Sequence, residues 1–276
     1  MIRDARVTLG GRSTRYLEAG AGWPVILLHA FPLNADMWRP QLEQVPDGWR
    51  MIAPDLRGFG PAAELQSGTP PPTMDDFADD VDELLGVLGI AEAAIGGLSM
   101  GGYVTFALCR RAPERFNAMI LADTKPQADT PEGREARRKM IELVHARGAS
   151  AVADEMLPKL LGSTTRSSGP HLAATVRTMI ESASVDALAG AVEAMLGRPD
   201  STADLASVAW PALVIVGAED TITPLPDAEA MQVGIARSRL VLLPEAGHLS
   251  NLETPDAFSR ALADFLQSNM RPGAID

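Results

Sequence analysis

GLSMGG, residues Gly97 to Gly102, sets one serine between glycines, after the apolar-leaning run AAIG and ahead of YVTFALCRR. The run before it reads as a strand and the segment after it as a helix. In the pattern G-x-S-x-G the chain leaves a strand, turns sharply at the serine and enters a helix. The turn brings backbone so close that only glycine, lacking a Cβ, fits on either side. Gly97 and Gly101 meet that demand and Ser99 is held up as a candidate nucleophile. A helix starting just beyond it has unpaired N–H groups, so the N–H of Met100 points to where an oxyanion would form.

A pentapeptide of this kind is also compatible with a plain structural turn, so the rest of the chain has to supply the context. TRYLEAG, VILLHAF, RMIAPDL and AAIGGLS look like strands in the first half, and AMILADT, ALVIVGAED and RLVLLPEAGH continue the set. Helix-like segments alternate with them, including Met74 to Leu88, Gly102 to Arg111 and Pro255 to Gln267. This alternation predicts an α/β fold, a mostly parallel sheet covered by helices on both faces. The rhythm breaks after Thr124. From there to about Val208, PEGREARRKMIELVHARG, ASAVADEMLPKLLG, GPHLAATVRTMIES and VDALAGAVEAMLG carry apolar residues at helical spacing, which predicts three or four inserted helices. Their Met156, Leu160, Met179 and Met195 read as packing. SGTPPPT, Ser67 to Thr73, reads as a surface loop.

A serine hydroxyl is a poor nucleophile until a base takes its proton. Of the four histidines, His145 and His171 fall in the helical insertion. His248 follows a strand, beside Gly247 and ahead of helix signals, and a loop at the carboxyl end of a strand is where α/β sheets gather their chemistry. The imidazole needs an acid to hold its tautomer. Asp220 closes LVIVGAED at a strand's carboxyl end; Glu219 beside it and Asp123 after AMILA are its rivals.

Composition narrows the partners. The 276 residues carry 36 acidic and 24 basic side chains, a formal charge of -12, which opposes nucleic acid and anionic membrane surfaces and favours a small-molecule substrate. The densest basic stretch, Arg134 to Met140, reads as a solvated helix face. One cysteine, Cys109, allows no internal disulfide, and the start MIRDARVTLG has no apolar signal core. The expectation is a cytoplasmic protein with no membrane span, no metal and no organic cofactor, and with homo-oligomerisation left open.

Together, LLHAFP, DLRGFG, GLSMGG, GAEDTITP and GHLSNLETP, in this order, resemble the α/β-hydrolase superfamily over nearly the whole chain outside the insertion. The resemblance implies an eight-stranded, mostly parallel sheet, with residues 1–124 and 209–276 as the core domain and 125–208 as a helical lid inserted before the last two strands. It implies the order Ser99, Asp220, His248 for the triad, and Phe31 as second oxyanion donor through its backbone N–H, beside Met100. His29 and Arg57 then read as architectural, with a substrate-carboxylate contact as the alternative for Arg57. Relatives usually carry His-Gly where this chain has His29-Ala30, so a methyl there narrows the oxyanion loop or restricts its φ angle.

A serine nucleophile argues against the dehalogenases and epoxide hydrolases of the superfamily, which use aspartate. What the resemblance then implies is hydrolysis of carboxylic esters through an acyl-enzyme. GLSMGG and APERFNAMILADT look like the 3-oxoadipate enol-lactonases and the small esterases and cofactor-free perhydrolases near them. The lid start KPQADTPEGREARR differs from the enol-lactonases, which places a carboxylesterase first and a lactonase or perhydrolase second. A non-catalytic receptor on the same fold is the reading from another class. A lid rich in Ala, Leu and Met suits a small or medium apolar ester.

Overall fold

All seven apolar runs lie on strands of one sheet in the computed structural model, which describes residues 1–61, 70–168 and 170–269. The strands are β1 (Arg3–Leu9), β2 (Arg12–Gly20), β3 (Trp23–Leu28), β4 (Trp49–Pro54), β5 (Ala93–Leu98), β6 (Phe116–Ala122), β7 (Ala212–Gly217) and β8 (Ser238–Leu243). Their order is β1-β2-β4-β3-β5-β6-β7-β8. β2 runs antiparallel to both neighbours, and every other pairing is parallel. Every residue of β5 and β7 is buried. Successive side chains point to opposite faces, so helices must cover both sides of these strands, and near-continuous apolar sequence follows. β1, the strand that periodicity did not show, is an edge strand with arginine and aspartate among its first residues and mostly exposed positions.

The helices are α1 (Arg39–Glu43), α2 (Met74–Val87), α3 (Met100–Arg111), α4 (Pro131–Leu160), α5 (Ser163–Ser168), α6 (Pro170–Glu181), α7 (Val185–Gly197), α8 (Leu225–Gly234), α9 (Ser250–Glu253) and α10 (Pro255–Asn269). α3 packs on β3 and β5 and against α2, whereas α10 packs on β7 and β8 and against α1. The expected loop Ser67 to Thr73 begins outside the described residues, and its last member opens α2. Thr73 Oγ1 accepts the N–H of Asp76 at 3.1 Å while Asp76 Oδ2 accepts that of Thr73 at 2.8 Å, a reciprocal cap that satisfies two otherwise unpaired donors. Cys109 is buried on α3.

Between β6 and β7 the chain passes through α4 to α7, with α4 packed on α6 and α7, and α7 reaching α2. Two of the helical segments expected here make up α4, which is two helices joined at a kink: Gly148, between them, has φ 70° and ψ −168°, and an added Cβ there would meet nothing within 4 Å. The short α5 did not show as a separate period because six residues make less than two turns. Arg137 and Arg138 of the basic stretch lie on α4, bonded to Asp129 and Glu135, and the stretch is exposed or half-exposed. Among the described residues no helix is long and apolar enough to cross a membrane.

The strand order also sets where the loops meet. From β3 the chain moves outward to β4, then returns to place β5 on the other side of β3. Loops leaving β3 and β5 at their carboxyl ends therefore diverge around a crevice, the position where open α/β sheets bind ligands.

Candidate active site

Two loops at that crevice carry Phe31 and Ser99. Leu28 at the end of β3 pairs with Gly97 near the end of β5, so the segment His29 to Phe31 rises beside the serine turn. Ser99 has φ 55° and ψ −110°, a left-handed backbone that a residue with a Cβ adopts only under constraint. Its glycines show what the constraint is. A Cβ on Gly101 would lie 2.2 Å from the carbonyl oxygen of Leu28, and one on Gly97 would lie 2.6 Å from that same oxygen. Strand β3 and the start of α3 touch backbone to backbone.

Four bonds hold the turn. Ser99 N–H donates to Ala122 O at 3.0 Å, and the Ser99 carbonyl accepts from Gly102 N, Tyr103 N and, at 2.8 Å, Thr124 Oγ1. Ser99 is only 8% exposed. Phe31 and Met100 are buried on either side of the crevice, and among the described residues neither backbone N–H donates a hydrogen bond. Ala30 does not disrupt the loop: its N–H donates to Met37 Sδ at 3.2 Å, its carbonyl accepts from Leu33 N at 2.9 Å, and its methyl is buried.

His29 is architectural. Its Nε2 accepts the Leu56 N–H at 2.9 Å, which leaves the proton on Nδ1 to be donated to Ala30 O at 3.0 Å. Complete burial pulls the imidazole down to about 4, so it is neutral near pH 7. Arg57 is tied to α2, with Nε and Nη2 on the two oxygens of Asp80 at 2.8 and 2.7 Å. The Nε–Nη2 edge, the one suited to a bidentate grip on a substrate carboxylate, is thus taken by Asp80. His145 and His171 are exposed on α4 and α6.

The candidate acid and the candidate base come together from the loops after β7 and β8. His248 Nδ1 lies 2.8 Å from Asp220 Oδ2, with the two residues 1% and 5% exposed. Asp220 Oδ1 accepts the N–H groups of Ile222 and Thr223 at 2.8 and 3.1 Å, and Oδ2 accepts Thr223 Oγ1 at 2.6 Å. Burial opposes the charge, but the His248 imidazole and the hydrogen bonds from His248 and Thr223 hold the carboxyl below its ordinary range. With Nδ1 turned to the carboxylate, Nε2 is the nitrogen free to exchange a proton.

The rival acids have other partners. Glu219 turns to the insertion and accepts Ser163 Oγ at 2.9 Å, Thr164 N at 2.9 Å and Thr164 Oγ1 at 2.5 Å. Asp123, with φ 42° at the end of β6, accepts Gly217 N at 2.8 Å and the hydroxyl of Ser250. Complete burial and the nearby charge of Asp220 push its carboxyl well above the usual range. Asp123 was legible only as a rival acid, and Thr223 and Thr124 were not read as site residues, Thr124 because its partner, the Ser99 carbonyl, is on another loop. The threonine three residues after Asp220, in DTIT, was the one local signal, because a threonine at that spacing can close a turn on an aspartate.

Comparison with known proteins agrees with the architecture. The family model for the alpha/beta hydrolase fold matches residues 24–255. 3-Oxoadipate enol-lactonase 2 of Acinetobacter baylyi is 31% identical over 240 residues, covering 86% of each chain. A thermophilic esterase from Thermogutta terrifontis, solved with malate bound, superposes with a TM-score of 0.91 at 38% identity, covering 98% of this chain and 100% of its own. The enol-lactonase from Burkholderia xenovorans LB400 superposes with a TM-score of 0.86 at 27% identity, covering 95% of this chain and 100% of its own. By the family match, the shared sheet and the strand-turn-helix at Ser99, the chain belongs to the alpha/beta hydrolase fold family.

Proposed function

We propose that this chain is a serine hydrolase of carboxylic esters, in which Ser99 is the nucleophile, His248 the general base and acid, and Asp220 the residue that orients the imidazole. The observation that carries the reading is the buried 2.8 Å contact of His248 Nδ1 with Asp220 Oδ2, on the same end of the sheet as the strained serine. Similarity to an esterase at 38% identity and to an enol-lactonase at 31% supports ester-bond chemistry.

In this mechanism His248 Nε2 takes the hydroxyl proton as Ser99 Oγ attacks the ester carbonyl, and Asp220 stabilises the imidazolium without itself becoming protonated. The N–H groups of Phe31 and Met100 receive the oxyanion; each such donor contributes roughly 3 to 4 kcal/mol in hydrolases of this type. The alcohol departs with the proton from His248. Water, activated by the same imidazole, then releases the acid and restores the serine. These steps use side chains, backbone N–H groups and water alone.

Residues 125–208 act in this reading as the lid, over a core of residues 1–124 and 209–276. The Ala, Leu and Met content of residues 125–208 supports a small or medium apolar ester as substrate. A lactone of the 3-oxoadipate enol-lactone type is the second reading, favoured by the Acinetobacter relative, which covers 86% of this chain.

Steady-state hydrolysis of neutral nitrophenyl esters of increasing acyl length, alongside an enol-lactone, tests both. Multiple turnovers that vanish in Ser99→Ala are expected. Retained turnover in that variant sinks the assignment, and a clear preference for the lactone promotes the second reading.

A further inference from the structure

Three backbone N–H groups converge on the carboxylate of Glu253. Oε1 accepts Gly247 N at 2.9 Å and Leu249 N at 3.2 Å, the two amides that flank His248. Oε2 accepts Gly162 N at 2.7 Å, from the joint between α4 and α5. We propose that Glu253 is a positioning residue for His248, a carboxylate clasp that sets the backbone on both sides of the base and fastens it to the helical insertion. This rests on the assignment of His248 as the base.

Nothing in the proton-transfer scheme uses Glu253, yet its placement is tightly determined. It ends the single turn α9, where its own N–H donates to Leu249 O at 2.9 Å, so its carboxylate is anchored to the loop that it grips. The grip has two further supports. Leu249 N also reaches Leu160 O, at 3.2 Å, and a Cβ on Gly247 would lie 2.2 Å from Gly162 N. The base loop and the insertion thus touch through glycine backbone, and the Glu253 carboxylate bridges Gly162 to the amides around His248. Glu219 makes the parallel contact from the acid loop, accepting Ser163 and Thr164 at the start of α5. Its bonds, however, do not involve the amides around Asp220.

A carboxylate is the group this geometry requires. Both of its oxygens accept, and a charged acceptor strengthens each bond to roughly twice that of a neutral one. Glutamine in its place has one acceptor and one donor. It can keep the pair of amides beside His248 or the Gly162 amide, and in either case its NH2 faces another N–H. Aspartate keeps both acceptors and falls one methylene short.

The experiment compares wild type, Ser99→Ala, Glu253→Gln and Glu253→Asp. Three readouts are steady-state turnover of a short nitrophenyl ester, the rate of Ser99 phosphonylation, and hydrogen exchange at the Gly162, Gly247 and Leu249 amides by NMR. Expected for Glu253→Gln is a fall in kcat of about tenfold or more, a KM within twofold of wild type, slower phosphonylation and at least tenfold faster exchange at one set of the three amides. Glu253→Asp is expected to lie between, and it carries the same comparison if circular dichroism shows the glutamine variant unfolded.

Unchanged kcat and exchange in folded Glu253 variants overturn the proposal while leaving the triad in place. Faster exchange with kcat untouched shows a structural clasp only and equally overturns the positioning role. Wild type without turnover or phosphonylation overturns the assignment of the base itself, and the role of Glu253 with it.

Discussion

Thr223 stands three residues past Asp220 and gives its hydroxyl hydrogen to Oδ2 at 2.6 Å, the same oxygen that faces His248 Nδ1. One carboxylate oxygen thus serves two side chains, while its twin is filled by the Ile222 and Thr223 amides. Thr223→Val keeps the shape and both amide bonds, and is expected to lower kcat about 3- to 10-fold, the effect of one hydrogen bond worth about 1 kcal/mol. Asp220→Asn is expected to lower it about 10⁴-fold, because the wrong tautomer of His248 is then held. Similar kinetics for the two variants would contradict Asp220 as the orienting acid.

Asp123 provides the opposite comparison. Its carboxyl, raised by burial and by the charge of Asp220, has a folded-state value above that of the unfolded chain. Its stabilising contribution is then complete below the unfolded value and is lost as pH rises through the folded one. Asparagine is neutral at every pH and can still accept from Gly217 N. Urea unfolding of Asp123→Asn and wild type from pH 4 to 8 is expected to show wild type losing ground steadily as pH rises. Turnover of the variant should stay within tenfold of wild type; a collapse like that of Asp220→Asn would move the acid to Asp123.

His29 has the other sign. Its folded-state value, about 4, lies below the ordinary 6.5, so the unfolded chain binds the extra proton between those limits. Stability is complete above pH 6.5 and falls as pH drops towards 4, by an amount on the order of 3 kcal/mol for a shift of this size. His29→Gln is expected to be less stable at pH 7, through its altered bonds to Leu56 and Ala30, but to show a flatter slope between pH 6.5 and 4. Parallel slopes in denaturant unfolding would refute the assignment of His29 as a buried neutral group.

Glycines separate into those that make the site and those that do not. Gly101→Ala would press a methyl to 2.2 Å from Leu28 O, a backbone atom that cannot move without parting β3 from β5. A loss of about 3 kcal/mol or more and of ester turnover is expected. Gly86, exposed on α2, has nothing within 4 Å of an added Cβ. Gly86→Ala is expected to be neutral or to stabilise by about 0.5 to 1 kcal/mol, with unchanged kcat. Thermal melts of the pair decide whether close approach, and not glycine as such, makes the turn.

Much of this protein was legible because its signals are local. A strand, a glycine-flanked serine and a helix lie within about 20 residues, and the elements that depend on them are set by side-chain periodicity and by the absence of a Cβ at Gly97 and Gly101. For the same reason His248 and Asp220 could be picked out as loop residues following apolar strands, and the insertion could be bounded by the loss of strand-like runs. β1 escaped because an edge strand exposes much of its surface and so needs little apolar alternation.

What only the tertiary structure decided are the relations between loops. Glu219 and Asp220 are chain neighbours with the same chemistry, yet one faces α5 and the other His248. Asp123 meets Gly217 and Ser250 across 94 and 127 residues, and Glu253 meets Gly162 across 91. Residue type says that a buried carboxylate must find donors; it does not say which donors. That choice follows from the order of strands in the sheet, which brings the carboxyl ends of β5, β6, β7 and β8 side by side and leaves each carboxylate only the N–H and O–H groups within about 3 Å.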